Sequence, residues 1–88
     1  MSTIDELKKL VGSEKLLLGT KEVLKNLKNN KITKIYLSSN CNEETVSDIN
    51  HYSEILKNVE LETLNMKNEE IGVLFKKSFS ISVIGILR

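Results

Sequence analysis

Proline is absent from these 88 residues, and cysteine, histidine and arginine each occur once. A single thiol, Cys41, excludes an internal disulfide framework, and with only His51 for company it cannot build a zinc site. No apolar window approaches the length needed to span a bilayer, and the amino end shows no basic-then-apolar leader. A soluble, cytoplasmic protein with no membrane partner is expected. The four glycines are dispersed, so neither a linker nor a disordered tail is expected, and residues 1–88 read as a single small domain.

Enzymatic signals are equally sparse. The lone histidine lies beside Tyr52, whose helical position points inward, so His51 reads as a packed or surface side chain rather than a base. The carboxylate pairs Glu43-Glu44 and Glu69-Glu70 fall in the first turns of expected helices, where the helix dipole accounts for them. Cys41 precedes a helix, a setting that can lower a thiol pKa, but no histidine is placed beside it, and a modestly buried thiol is the better reading. Gly19 stands alone, so no glycine-rich nucleotide loop is present. No enzymatic activity, cofactor, metal or small-molecule substrate is expected.

What the chain does have is charge sorted by position. The formal total is only +1, but residues 1–34 hold eight lysines against four acids, whereas residues 35–65 hold Lys57 against six. A basic side and an acidic side follow, the former suited to a polyanion.

Helical and strand patterns alternate. Thr3 with Glu6 forms a capping box before a stretch in which Ile4, Leu7, Leu10 and Val11 share a face, and Gly12 stops it. Leu16–Leu18 is a short strand, and residues 20 to about 30 form a helix burying Val23, Leu24 and Leu27, closed by Asn29-Asn30. Residues 35–39 form a second strand. Asn42 caps a helix with Val46, Ile49, Tyr52 or Ser53, and Leu56 inward. Residues 59–64 are a third strand with Glu60 and Glu62 outward. Asn68 caps a helix with Ile71, Leu74 and Phe75 inward, and residues 80–87 are a last, β-branched strand. The alternation predicts an α/β fold: a three-layer α-β-α sandwich, with a small mixed four-stranded sheet and helices on both faces.

Binding signals are stronger than catalytic ones. Leu18-Gly19-Thr20-Lys21 carries a strand straight into a helix on which Lys21, Lys25 and Lys28 share a face. Free N–H groups and ammonium groups then converge, as an anion site requires. Asn40-Cys41-Asn42 and Lys76-Lys77-Ser78-Phe79 are expected at the same end of the sandwich. Periodicity leaves Phe79 two readings, one tucked beside Phe75 and one exposed as a stacking surface for an unpaired base.

Taken together these stretches resemble one family. Gly19 to Lys25, Ile35 to Cys41, Asp48 to Tyr52, Asn68 to Gly72, and Phe79 before a β-branched strand are similar, in order and spacing, to the L-thirty-e family of archaeal and eukaryotic large-subunit ribosomal proteins, within the superfamily of kink-turn RNA binders. The similarity spans residues 16–87. It implies binding to a kink-turn, an internal loop with sheared G·A pairs, in ribosomal RNA, association with the ribosome, and possible neighbouring ribosomal proteins. Gly19, Thr20, Lys21 and Glu22 then match the helix start that meets guanines and phosphates, Lys25 and Asn40 match further RNA-contacting positions, and Phe79 matches an aromatic of the loop against the bulged nucleotides. Leu18, Lys28, Cys41, Lys77 and Ser80, which lie on the same three stretches, complete the expected RNA-binding set.

Two departures stand out: many superfamily members have asparagine where this chain has Lys21, and proline often follows the position of Cys41, where this chain has Asn42. Two other readings stay open: a stand-alone kink-turn binder outside the ribosome, and a protein-interaction adaptor using the acidic helix of residues 43–54.

Overall fold

A computed structural model describes Lys9 and residues 14–88. The capping-box helix expected ahead of Gly12 lies, apart from helical Lys9, outside the described residues. The described elements run β1 (Leu16–Leu18), α1 (Thr20–Lys28), β2 (Ile32–Leu37), α2 (Glu43–Leu56), β3 (Glu60–Thr63), α3 (Asn68–Leu74) and β4 (Val83–Leu87). The sheet order is β1-β4-β2-β3. β4 runs antiparallel to both neighbours, with Leu18 opposite Ile84 and Ile84 opposite Tyr36, while β2 and β3 are parallel. The carboxyl ends of β1, β2 and β3 and the start of β4 therefore share one edge, and every loop leaving or entering there is brought together.

Alternation along the strands splits the core in two. Ile35, Leu37 and Val83 face one side, where Val23 and Leu27 of α1 and Ile49 of α2 cover them. Tyr36 and Ile84 face the other, under Ile71 of α3 and Phe75 at its C-cap, together with Leu64 and Ile81. Helices thus cover both faces of a mixed four-stranded sheet, as the sequence pattern predicts. Each fully buried Ile or Leu contributes roughly 1.5–3 kcal/mol of transfer free energy, so these two clusters are the main force holding the layers together.

The helix ends follow from local chemistry. Asn42 Oδ1 accepts from the Glu44 amide at 2.8 Å, the expected cap of α2. α1 closes on Asn30 at φ 56, with Lys31 N–H reaching Asn26 C=O at 3.0 Å and Asn30 N–H reaching Leu27 C=O at 3.0 Å. α3 closes the same way on Lys76 at φ 57, with Lys77 N–H on Gly72 C=O at 2.9 Å and Lys76 N–H on Val73 C=O at 3.0 Å. Both are Schellman ends, and asparagine tolerates the left-handed turn better than lysine does.

Three expectations are corrected. β2 begins at Ile32, not at residue 35: Ile32 is fully buried and pairs with Leu87. Lysines on either side of Ile32-Thr33 hide this start, yet Lys34 is accommodated by Glu60 and Glu62 across the β2–β3 pair, at 3.9 and 3.5 Å. β4 pairs only from Val83, because residues 80–82 leave the sheet and the Ile81 amide turns to Asn68 C=O at 3.0 Å. Asn68 does not cap α3 with its own side chain. Lys67 holds the cap position, and the Asn68 carboxamide is used elsewhere.

Candidate nucleic-acid interface

Gly19 is the pivot between β1 and α1. Its φ of 106° and ψ of 146° lie in a region open essentially to glycine. Its amide donates to Val83 C=O at 3.0 Å, closing the ladder to β4, and its carbonyl accepts the first helical bond, from Val23 N–H at 3.1 Å. The amides of Thr20, Lys21 and Glu22 precede that bond, and no side chain caps the helix. A strand that ends in a glycine and turns at once into a helix thus aims three donors and a positive dipole end outward.

One strand away, the β2–α2 loop is pinned at both sides. Ser38 N–H donates to Ser82 C=O at 2.9 Å, Ser39 N–H to Met66 C=O at 2.8 Å, and Cys41 N–H to Ser38 C=O at 3.2 Å. Exposed Asn40 projects from this loop, its Oδ1 accepting from the Asn68 amide at 2.9 Å and its Nδ2 donating to Asn68 Oδ1 at 3.2 Å. Because Ser82 and Val83 are adjacent, the anchors of Gly19 and of Ser38 sit side by side on the same chain segment. The start of α1 and Asn40 therefore flank the entrance to β4.

The third component is the α3–β4 loop. Lys76, Lys77, Ser78, Phe79 and Ser80 are all exposed, and Phe79 leaves 55% of its surface in solvent. The aromatic does not tuck beside Phe75, which is buried with Leu64, Ile71 and Ile81 and without it. Its loop lies hard against α3: a Cβ built on Gly72 would stand 2.2 Å from the Phe79 carbonyl oxygen. Glycine at 72 is what lets the loop fold back on the helix and hold the ring outward.

Lys21, Glu22 and Lys25 are exposed on α1 and, with Leu24, Lys28 and Asn29, border a shallow groove of about 560 Å³. Lys28 belongs to the far end of that helix, its Nζ 5.4 Å from the Tyr52 ring on α2, so the structure places it on the flank and not at the loop cluster. Leu18 packs its side chain against the α3-side core, leaving its backbone at the edge. Cys41 packs against the α1–α2 core, and burial pushes its thiol pKa up despite a backbone hydrogen bond from Asn42. It is a structural thiol, not an activated one. Sequence reasoning passed over Asn68, Ser82 and Gly72 as site builders; their signal was only a shared loop end, which no periodicity reports.

Across residues 1–88 the chain matches the model of the Ribosomal protein L7Ae/L30e/S12e/Gadd45 family. The chain belongs to this family. Its relatives include the large ribosomal subunit protein eL30 of Sulfolobus acidocaldarius, 35% identical over 93% of this chain and 78% of that protein. The eL30 of Archaeoglobus fulgidus is likewise 35% identical, over 78% of this chain and 74% of its own length. Among solved structures, the family fold is shared with a Bacillus halodurans protein of unknown function, at TM-score 0.83 and 20% identity over 97% of this chain and 83% of the other. It is also shared with the Giardia lamblia 15.5kD RNA binding protein, at TM-score 0.72 and 14% identity over 97% and 70%. At those identities the two structures speak for the fold.

Proposed function

We propose that this family member is a non-enzymatic RNA-binding structural protein of the large ribosomal subunit, residing with the ribosome in the cytoplasm and recognising a kink-turn or similar internal loop. The observation that carries the reading is the gathering at one sheet edge of an uncapped helix start, an exposed carboxamide and a solvent-facing aromatic that follows a lysine pair. The eL30 relatives, named as large-subunit proteins, supply the ribosomal setting.

The physics of a kinked RNA fits this edge. Sharp bending crowds two phosphate backbones, and Lys21, Lys25, Lys76 and Lys77 offset that repulsion while releasing counterions. Glu22, beside the helix start, accepts from a guanine's N1–H or N2–H₂ and so reads the base while the lysines supply affinity. Phe79 stacks on a splayed base. Titration against a kink-turn RNA and a plain duplex at several salt concentrations tests the reading. Preference for the kink-turn is expected, and Lys21→Ala and Lys25→Ala are expected to lower affinity and flatten the salt slope while leaving that preference in place. Equal affinity for the two RNAs refutes it.

The outer face of α2 favours a second reading. Glu43, Val46, Ser47, Asn50, His51 and Glu54 border an open groove of about 500 Å³ there, and Glu44, Asp48 and half-exposed Ile55 add to an acidic surface with an apolar edge. An adaptor using that surface would keep its partner when Lys21 and Lys25 are both replaced.

A further inference from the structure

An exposed asparagine carboxamide has two orientations that exchange donor and acceptor, and a base edge accepts only one of them. Asn40 would be such a group were it alone. It is held instead by a chain of polar contacts that reaches back to the sheet. The backbone N–H of Asn68 can only donate, so it selects Asn40 Oδ1, at 2.9 Å. The Asn68 side chain follows that choice: Asn40 Nδ2 donates to its Oδ1 at 3.2 Å, which leaves its Nδ2 to donate at 3.1 Å to Ser82 Oγ, a hydroxyl able to accept it. Ser82 is itself anchored, its carbonyl accepting from Ser38 N–H at 2.9 Å. Asn68 and Ser82 are partly buried while Asn40 is exposed, so the chain runs from a fixed interior end to a free outer one. One Nδ2 hydrogen and one Oδ1 lone pair of Asn40 are left pointing outward, with their polarity already set.

We infer that Asn68, backed by Ser82, is a positioning residue that orients the Asn40 carboxamide for base reading before RNA arrives. The inference rests on the RNA-binding reading above. Orientation in advance spares the cost of freezing the side chain on binding, about three- to tenfold in affinity for one exposed polar residue.

The test compares a kink-turn RNA with the same RNA carrying G·C in place of its G·A pairs, for wild type, N40A, N68A, S82A, N68D and the N40A/N68A double variant, each checked for folding by thermal melting. N68A removes the side-chain half of the clamp and keeps the backbone N–H on Asn40 Oδ1, so it is expected to weaken kink-turn binding about threefold, the lower end of that range, and to add almost nothing once Asn40 is gone. S82A removes only the far bond and leaves α3 untouched, so it is expected to show a smaller loss of the same kind. N68D keeps the acceptor for Asn40 Nδ2, with Ser82 turning its own hydrogen to the carboxylate. It is expected to retain the discrimination ratio between the two RNAs that N68A erodes.

The side-chain amide resonances of Asn40 in the free protein give a second readout, expected to lose their exchange protection in N68A. Equal losses from N68A with and without Asn40, or N68D discriminating no better than N68A, overturn the inference while leaving the RNA-binding reading intact. Failure of the wild type to prefer the kink-turn RNA overturns that reading itself.

Discussion

Gly72→Ala separates the two roles of the α3–β4 loop. Alanine is the better helix former by about 1 kcal/mol, and Gly72 lies inside α3, so the helix alone favours the change. The added methyl would nevertheless stand 2.2 Å from the Phe79 carbonyl oxygen, with the Phe79 carbonyl carbon at 3.2 Å and the Ser80 Cα at 3.5 Å. Real carbon–oxygen contacts begin near 3 Å, so the loop must retreat by roughly 1 Å, and the atoms in its way are backbone. That retreat pulls on the Ile81 amide bond to Asn68 C=O and on the Lys77 amide bond to Gly72 C=O. Overpacking of this kind costs about 1–3 kcal/mol. Set against the helical gain, the net loss of stability on urea denaturation is expected to be no more than about 2 kcal/mol, and the protein stays folded.

Binding suffers for a different reason, because Phe79 leaves its stacking position. Base–aromatic stacking contributes about 1–3 kcal/mol, so kink-turn affinity is expected to fall between about fivefold and a hundredfold or more. Phe79→Ala should fall by a similar factor with little loss of stability, and Gly72→Ala combined with Phe79→Ala should bind no worse than Phe79→Ala alone. A Gly72→Ala protein that binds like the wild type refutes the reasoning, as does a double variant whose losses simply add.

Other outcomes follow from the same contacts. Gly19→Ala meets no atom within 4 Å, so its cost comes from backbone strain at φ 106° alone, about 1–3 kcal/mol on chemical denaturation; a neutral substitution would show that the turn adapts. Lys34 is pulled downward by burial, but its bond to Tyr36 and the carboxylate of Glu62 more than offset that and leave its pKa raised. A raised folded-state pKa stabilises fully below the unfolded value and is lost as pH climbs through the folded one. Lys34→Met should therefore flatten the stability profile above about pH 10 and leave its shape at neutral pH unchanged. The Cys41 thiol, raised by burial, should react with a disulfide reagent at pH 7 more slowly than a free cysteine, and unfolding in urea should abolish the difference.

Much of the fold was legible because it is written in periodicities. Val23 and Leu27 four apart, Ile35 and Leu37 two apart, and Asn42 before Glu43-Glu44 each specify an element without reference to the rest of the chain. What escaped were decisions made between elements. Lys34 looks like a strand breaker until Glu60 and Glu62 stand beside it, so β2 reads three residues short. Residues 80–82 have the composition of a strand, but Asn68 claims the Ile81 amide before β2 or β1 can.

The candidate site divides along the same line. Residues that carry charge or surface, such as Lys21, Lys25 and Phe79, can be picked out because ammonium groups and rings have consequences in any setting. Residues that hold those groups in place announce nothing: Gly72 resembles any helical glycine, and Asn68 resembles an ordinary cap. Their roles appear only when the Phe79 carbonyl closes on one and the Asn40 carboxamide on the other. The charges and the ring determine how strongly the edge attracts a polyanion. The silent residues determine which conformation the edge presents: Gly72 decides whether the ring reaches a base at all, and Asn68 which way the Asn40 carboxamide reads one. Substitutions at Lys21 and Lys25 should accordingly weaken binding to all RNAs in proportion, whereas substitutions at Asn68 should change the ratio between RNAs; salt titration of both sets would expose the difference, since only the lysine variants alter the slope.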